Sequence, residues 1–133
     1  MEKENRVSLW IGYAASEEQL EEMLEFTYEE DGDSELPLFA QAFELDHFDD
    51  DFREALLLET PGQDWATALQ DISYSELLLP EFTRLLPEPA RLERDKVNAA
   101  VLLYHFDYKG TIRQANVGGQ LWTYIGAVDC EML

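Results

Sequence analysis

A chain of 133 residues fits one domain, and its net charge of −20 excludes direct binding to nucleic acid or to an anionic membrane surface. Its 46% hydrophobic content is too high for a disordered acidic tail, so we expect a folded protein with its own core. No run reaches the roughly 20 apolar residues that span a bilayer, and the first residues lack a signal peptide's apolar stretch, which predicts a cytoplasmic location.

The first predicted elements are a buried strand and an acidic helix. Residues 7–13 are β-branched and aromatic, which predicts a strand with both faces largely buried. Ser16 and Gln19 have the spacing of a capping box, and they predict a helix from Ser16 to Tyr28. Its apolar residues would face inward, and the opposite face would carry Glu18, Glu21, Glu22, Glu25 and Glu29.

The middle of the chain is predicted to contain several helices. Residues 38–45 form either a strand or a short helix, because alanines accompany the apolar residues. The acidic residues 49–51 precede the apolar segment FREALLLE, and this order is typical of a helix start. Residues 65–71 and 73–86 show helical spacing, with Pro80 either beginning a new helix or kinking a longer one.

The last third of the chain predicts a sheet. Residues 97–108 are apolar at both alternating sets of positions, as in a strand covered on both faces. Residues 111–116 alternate weakly, as in an edge strand, and residues 121–128 supply another strand. Together the elements predict one α+β domain over residues 1–133, with helices inserted between the first and later strands of an antiparallel or mixed sheet.

Two groups of aromatic residues lie in these strands. Tyr104, Phe106 and Tyr108 are predicted to share one strand face, and Trp122 and Tyr124 lie together on another strand. Core packing is the main interpretation, although a Tyr or Trp on a sheet surface can also anchor a partner.

Acidic residues are concentrated in the first half of the chain. Between Val7 and Phe52 there is no Lys or Arg, whereas this stretch carries fifteen Asp and Glu residues. Clustered carboxylates create a field that accelerates encounter with a basic protein, and the alternative is a solvated helix face. We therefore predict a partner-binding surface formed by Glu18, Glu21, Glu22, Glu25, Glu29, Asp31, Asp33, Asp49, Asp50 and Asp51.

Metal binding and catalysis have less support in the sequence. The run from Asp46 to Asp51 contains carboxylates and an imidazole, but neighbouring residues rarely point at one ion, so its metal binding stays an open alternative. The segment Asp31–Leu36 copies the first ligand positions of a calcium loop but has Leu where that loop needs Gly. His105 and the single cysteine, Cys130, are interpreted as interior residues.

With no phosphate loop, zinc-protease motif or nucleophile elbow, we predict neither an enzyme nor a cofactor or metal site.

Short motifs follow one another along nearly the whole chain. They are SLWIG at Ser8–Gly12, the capped helix at Ser16–Tyr28, Glu30-Asp31-Gly32, Phe39 and Phe43, DDDF at Asp49–Phe52 with Glu54, Ser73-Tyr74, Asn98, Tyr104-x-Phe106-x-Tyr108-x-Gly110 and Tyr124-Ile125-Gly126. In this order the chain resembles a bacterial immunity-protein family called immunity protein twenty-two, found beside polymorphic toxin genes. It departs from the family pattern at Ala42, where that pattern tends to carry Asp.

The resemblance implies a binding protein that neutralises a cognate toxin. The toxin is expected to be a nuclease with a basic active-site cleft, which the protein would block sterically and electrostatically. Carboxylates would take the place of phosphates, and apolar residues nearby would slow dissociation. Charge alone leaves two alternatives open: a general acidic binding module or nucleic-acid mimic, and a metal-dependent enzyme built on Asp46–Asp51.

Overall fold

The computed structural model describes residues 2–28, 34–45, 48, 52–57, 69, 72, 74–85 and 97–130. The helices and strands within these residues are β1 (Glu2–Gly12), α1 (Glu17–Glu22), β2 (Thr27–Tyr28), β3 (Ser34–Glu35), α2 (Leu38–Ala42), β4 (Arg53–Leu57), α3 (Ser75–Leu85), β5 (Ala99–Phe106), β6 (Gln114–Val117) and β7 (Gln120–Asp129). The strands form a five-stranded sheet in the order β4-β5-β1-β7-β6 and a two-stranded sheet of β2 and β3. All strand pairs are antiparallel, which confirms the predicted α+β class.

The first strand lies at the centre of the large sheet. Trp10 pairs with Val101 of β5 on one side and with Tyr124 of β7 on the other. Every residue from Val7 to Gly12 is buried, as expected for a central strand covered on both faces. The predicted first strand is therefore confirmed, and it begins earlier than predicted, at Glu2.

Side chains form two core layers, one on each face of the sheet. Trp10 lies on the face that α1 and α2 cover, and its ring centroid is 5.1 Å from that of Phe39. Leu9 lies on the other face, in one cluster with Leu78 and Phe82 of α3. Helices therefore cover both faces, with α1 and α2 opposite α3.

The segment that was predicted to begin a helix after residue 51 forms the edge strand β4 instead. Arg53–Leu57 pairs antiparallel with β5, and Leu57 lies opposite Ala99. The prediction rested on acidic residues that lie outside the described part of the chain. Pairing with a buried strand outweighs the local helix signal, because strand preference depends strongly on neighbours.

The other predictions for the middle of the chain divide between confirmed and untested. Residues 38–45 contain the short helix α2 rather than a strand, since the Gln41 and Phe43 N–H groups donate to carbonyls four residues earlier. Helix α3 confirms the helical spacing within residues 73–86, and Pro80 lies inside it on the exposed side. Of residues 65–71, the structure describes only one.

The three predicted strands of the last third are present as β5, β6 and β7, with β6 at the edge of the sheet. The predicted shared face of the aromatic residues on β5 is wrong, however, because Tyr104 packs in the core layer under α3 while Phe106 and Tyr108 pack in the other layer. His105 has a positive φ of 55°, and this single left-handed residue interrupts the alternation of faces. Trp122 and Tyr124 share a core layer, as predicted.

The two interior residues interpreted from the sequence lie where they were predicted. His105 is partly buried, and its Nδ1 accepts a hydrogen bond from the backbone N–H of Asn5 at 3.2 Å. Cys130 is buried and free, packed in the core layer under α3.

Candidate partner-binding surface

Helix α1 begins with a side-chain cap that its sequence predicts. The Ser16 hydroxyl accepts a hydrogen bond from the Gln19 N–H at 3.1 Å. The Gln19 side chain reaches back and accepts from the Ala15 N–H at 2.5 Å, one residue before the usual partner in a capping box. Glu17 and Glu18 occupy the first turn, where the helix dipole favours negative charge.

Buried side chains fix the orientation of α1 on the sheet. Leu20, Met23 and Leu24 are at most 4% exposed and pack in the core layer with Trp10. The Met23 carbonyl accepts the Phe39 N–H at 3.0 Å, so the chain leaves the helical path there and joins the start of α2. The predicted helix end at Tyr28 is wrong, since α1 ends at Glu22 and the Leu24 and Glu25 N–H groups donate to carbonyls only three residues earlier.

The outward side of α1 and the turn after it carry a group of exposed carboxylates. We call this group the α1 acidic surface, and its members are Glu17, Glu18, Glu21, Glu22 and Glu25. Four of the predicted partner-binding residues therefore lie close together in exposed positions, although Glu25 lies beyond the helix. The other six, Glu29, Asp31, Asp33, Asp49, Asp50 and Asp51, lie outside the described residues.

One carboxylate of the α1 acidic surface is paired with a cation. Arg53 Nη2 lies 3.0 Å from Glu21 Oε2, and this contact links α1 to the edge strand β4. The Arg53 side chain is 18% exposed and that of Glu21 is 54% exposed, so the pair lies at the border of the surface. Sequence reasoning missed this cation, because the pairing depends on a strand that was predicted as a helix.

An exposed aromatic ring precedes Arg53 in the chain. This residue, Phe52, is 44% exposed, and its ring meets His105 edge-on at a centroid distance of 4.9 Å. Exposed aromatic rings are enriched at protein interfaces, where they supply contact area. The sequence contained a signal for this residue, since Phe52 ends the DDDF motif of the family resemblance.

The described tyrosines with shifted pKa values have structural roles rather than reactive ones. Burial raises the pKa of the Tyr108 and Tyr124 hydroxyls, so both keep their protons at neutral pH. The Tyr108 hydroxyl lies 3.1 Å from the Phe43 carbonyl and 3.2 Å from the Ile112 carbonyl, and its proton is shared between them. This contact ties the end of α2 to the segment before β6.

The described ranges contain no group of three or more His, Cys, Asp or Glu residues that could hold a metal ion. Most of the run Asp46–Asp51 lies outside those ranges. Within the part of the chain that the structure describes, no helix has the length and apolar character needed to cross a membrane.

Comparison with protein-family models gives one match that covers nearly the whole chain. Residues 7–131 match the model of the family described as Immunity protein 22. Comparison with curated proteins and with solved structures found no match. The matched range contains the α1 acidic surface, Arg53, the buried part of β1 from Val7 onward, and the whole of β4, β5, β6 and β7. The chain therefore belongs to the Immunity protein 22 family.

Proposed function

We propose that this protein binds a cognate bacterial toxin and neutralises it by occupying a basic cleft, the toxin being a nuclease. Membership of an immunity-protein family supports the neutralisation of a toxin. The observation that supports an electrostatic mechanism is the α1 acidic surface, whose five carboxylates are exposed within and just after one short helix. A nuclease has to hold phosphates, so its cleft offers the complementary charge.

The geometry of a helix suits this mimicry of phosphates. Residues four apart, such as Glu18 and Glu22, lie on the same side about 6 Å apart along the axis. The buried side of α1 is fixed by Leu20, so these carboxylates are held outward before the toxin arrives. Little ordering is then required on binding, and this favours fast association.

Charge and apolar contact have different roles in this proposal. The α1 acidic surface would raise the association rate, since electrostatic complementarity acts mainly on encounter. Phe52, which is exposed and next to Arg53 in the chain, would add apolar contact area and so lengthen the lifetime of the complex.

Growth rescue tests the proposed function directly. The chain is expressed together with the toxin encoded by the adjacent gene, and we expect growth where the toxin alone is lethal. A toxin that kills equally with and without this chain would contradict the proposal. Equal binding to several unrelated basic proteins would instead indicate a general acidic binding module.

We further propose that neutralisation takes place in the cytoplasm by binding alone, without catalysis. The toxin should then regain full activity when a denaturant separates the complex and the toxin is refolded. Its mass should also be unchanged after release. A covalent change in the toxin, measured by mass spectrometry of the released chain, would contradict this mechanism and indicate an enzyme.

A further inference from the structure

The edge strand β6 has backbone groups that no described strand satisfies. Among the residues that the structure describes, β6 pairs only with β7. The Tyr124 N–H donates to the Arg113 carbonyl at 2.8 Å, so these two residues form a hydrogen-bonded pair. Along an antiparallel ladder such pairs alternate with pairs whose backbone groups point away from the partner strand. The backbone N–H and C=O groups of Gln114 and Asn116 therefore point away from β7.

Edge strand β6 is short, but within the described residues it carries no charged residue, proline or bulge that would discourage strand pairing. Natural edge strands carry charged residues, proline or bulges that discourage another strand from adding to them. The four residues of β6, Gln114–Val117, include neither a charge nor a proline, and positive φ angles begin only after it at Gly118. The strand at the other end of the sheet, β4, carries Arg53 and Glu54.

The surroundings of β6 also differ in charge from the rest of the molecule. Residues 108–128 contain no Asp or Glu, although the chain has 29 of them, and they carry Lys109 and Arg113. Two copies with a net charge of −20 repel each other, and this repulsion is smallest where both surfaces lack carboxylates. A basic toxin is not attracted to this edge, so its charge favours a second copy of the chain over the toxin.

Apolar side chains lie on both sides of the edge. Leu121 of β7 is 52% exposed and lies opposite Asn116 in the ladder. Leu38 belongs to α2, which contacts β6 on the other face of the sheet, and it is 53% exposed. Covering such side chains adds to the energy of the backbone hydrogen bonds.

We propose that β6 pairs with β6 of a second copy, antiparallel and around a two-fold axis, so that one sheet continues through both subunits. The outward backbone groups fix the register. Gln114 of one copy would exchange both backbone hydrogen bonds with Asn116 of the partner subunit. Ala115 then lies directly opposite Ala115 of the partner subunit, at a position without hydrogen bonds. This interface goes beyond the proposed toxin binding and does not depend on it.

Proline at position 116 tests the interface. Asn116→Pro removes an N–H that points away from β7, so it leaves the ladder within one copy intact. Asn116→Ala is the matched control, because it removes the side chain but keeps the N–H. We expect sedimentation equilibrium to show a dimer for the wild type and Asn116→Ala, and at least about a tenfold larger dissociation constant for Asn116→Pro. A monomeric wild type at its highest soluble concentration, or an unchanged Asn116→Pro dimer, would overturn the proposal.

A cysteine at position 115 tests the register even if the proline variant fails to fold. Opposed residues at a position without hydrogen bonds have Cα atoms about 4.5 Å apart, within the range that a disulfide spans. Mild oxidation of Ala115→Cys should therefore yield a cross-linked dimer. Ala15→Cys, an exposed control beside α1, should stay largely monomeric. Equal cross-linking of the two variants would indicate random collision and contradict the register.

Salt separates this interface from toxin binding. Added salt screens the repulsion between two acidic copies, so dimer affinity should rise, whereas the association rate with a basic toxin should fall. Asn116→Pro should still rescue growth from the toxin. Loss of rescue in Asn116→Pro, with a monomeric wild type, would assign the edge to the toxin and overturn pairing between copies.

Discussion

The α1 acidic surface and the β6–β7 hairpin lie towards opposite ends of the sheet and differ in charge and in attachment. Helix α1 contacts β4 at one end, whereas β6 forms the other end. Four strand spacings separate the two edges by about 19 Å. The first region carries five exposed carboxylates, whereas the second carries a single one, Asp129 at the end of β7, which lies 3.0 Å from Arg6 Nη1. This segregation of charge would let the two proposed surfaces bind different partners.

The two regions are also anchored in different ways. The hairpin depends on large buried rings, since Trp122 is fully buried and Tyr124 packs on Trp10 at a centroid distance of 5.1 Å. Helix α1 is six residues long and is anchored by one capping hydroxyl and a few aliphatic side chains. Changes in the hairpin core should therefore affect global stability, whereas changes on the outside of α1 should affect binding.

The largest expected effect is on the hairpin anchor. Trp122→Ala should lower the free energy of unfolding by about 3–5 kcal/mol, because it removes a fully buried ring. Its Nε1 has no hydrogen-bond partner in the described part of the chain, so the loss is one of packing. Urea denaturation measures this difference. Leu121→Ala, on the exposed side of the same strand, is the control, and a similar loss in both variants would refute the role of the ring.

Helix α1 should respond less strongly. Ser16→Ala removes the hydroxyl that accepts the Gln19 N–H and should lower the free energy of unfolding by about 1 kcal/mol. Ser16→Asn keeps an acceptor at the cap and should restore most of this loss. If urea denaturation gives equal losses for the two variants, the cap is not the cause.

The ion pair between α1 and β4 should have the smallest effect. A double-mutant cycle of Glu21→Gln and Arg53→Gln should give a coupling free energy of at most about 0.5 kcal/mol, since Glu21 is more than half exposed. The coupling should fall as salt is added. A coupling above about 2 kcal/mol would show that the pair, rather than the buried side chains, holds α1 on the sheet.

Local sequence signals predicted the features that depend on neighbouring residues. The spacing of Ser16 and Gln19 located the start of α1, and the long apolar run from Val97 located the buried strand β5. The exposure of Glu18 and Glu22 followed from the phase of the helix, since the apolar residues had to face inward.

The features that sequence reasoning missed depend on distant partners or on one unusual residue. β4 forms because Arg53 lies opposite Leu103 of β5, and this pairing also brings Arg53 to Glu21. The positive φ of His105 separates Tyr104 from Phe106, and an alternating pattern cannot reveal such a residue. Glu25 lies beyond the helix because the chain tightens there, and the Glu25 N–H donates to the Glu22 carbonyl three residues earlier.

In the proposed mechanism, position, and not only net charge, makes the α1 acidic surface attractive to a basic toxin. Stopped-flow association with the adjacent-gene toxin at low salt tests it in two triple variants of equal net charge. One carries Glu18→Lys, Glu22→Lys and Glu25→Lys, which spares the Glu21 ion pair. The control carries Glu4→Lys, Glu44→Lys and Glu76→Lys, at exposed positions outside the surface.

We expect the first variant to associate at least about tenfold more slowly than the wild type, and the control to differ by no more than about threefold. Circular dichroism and urea denaturation would establish that both variants remain folded. Equal slowing of the two variants, or an unchanged rate in the first, would contradict recognition through the α1 acidic surface.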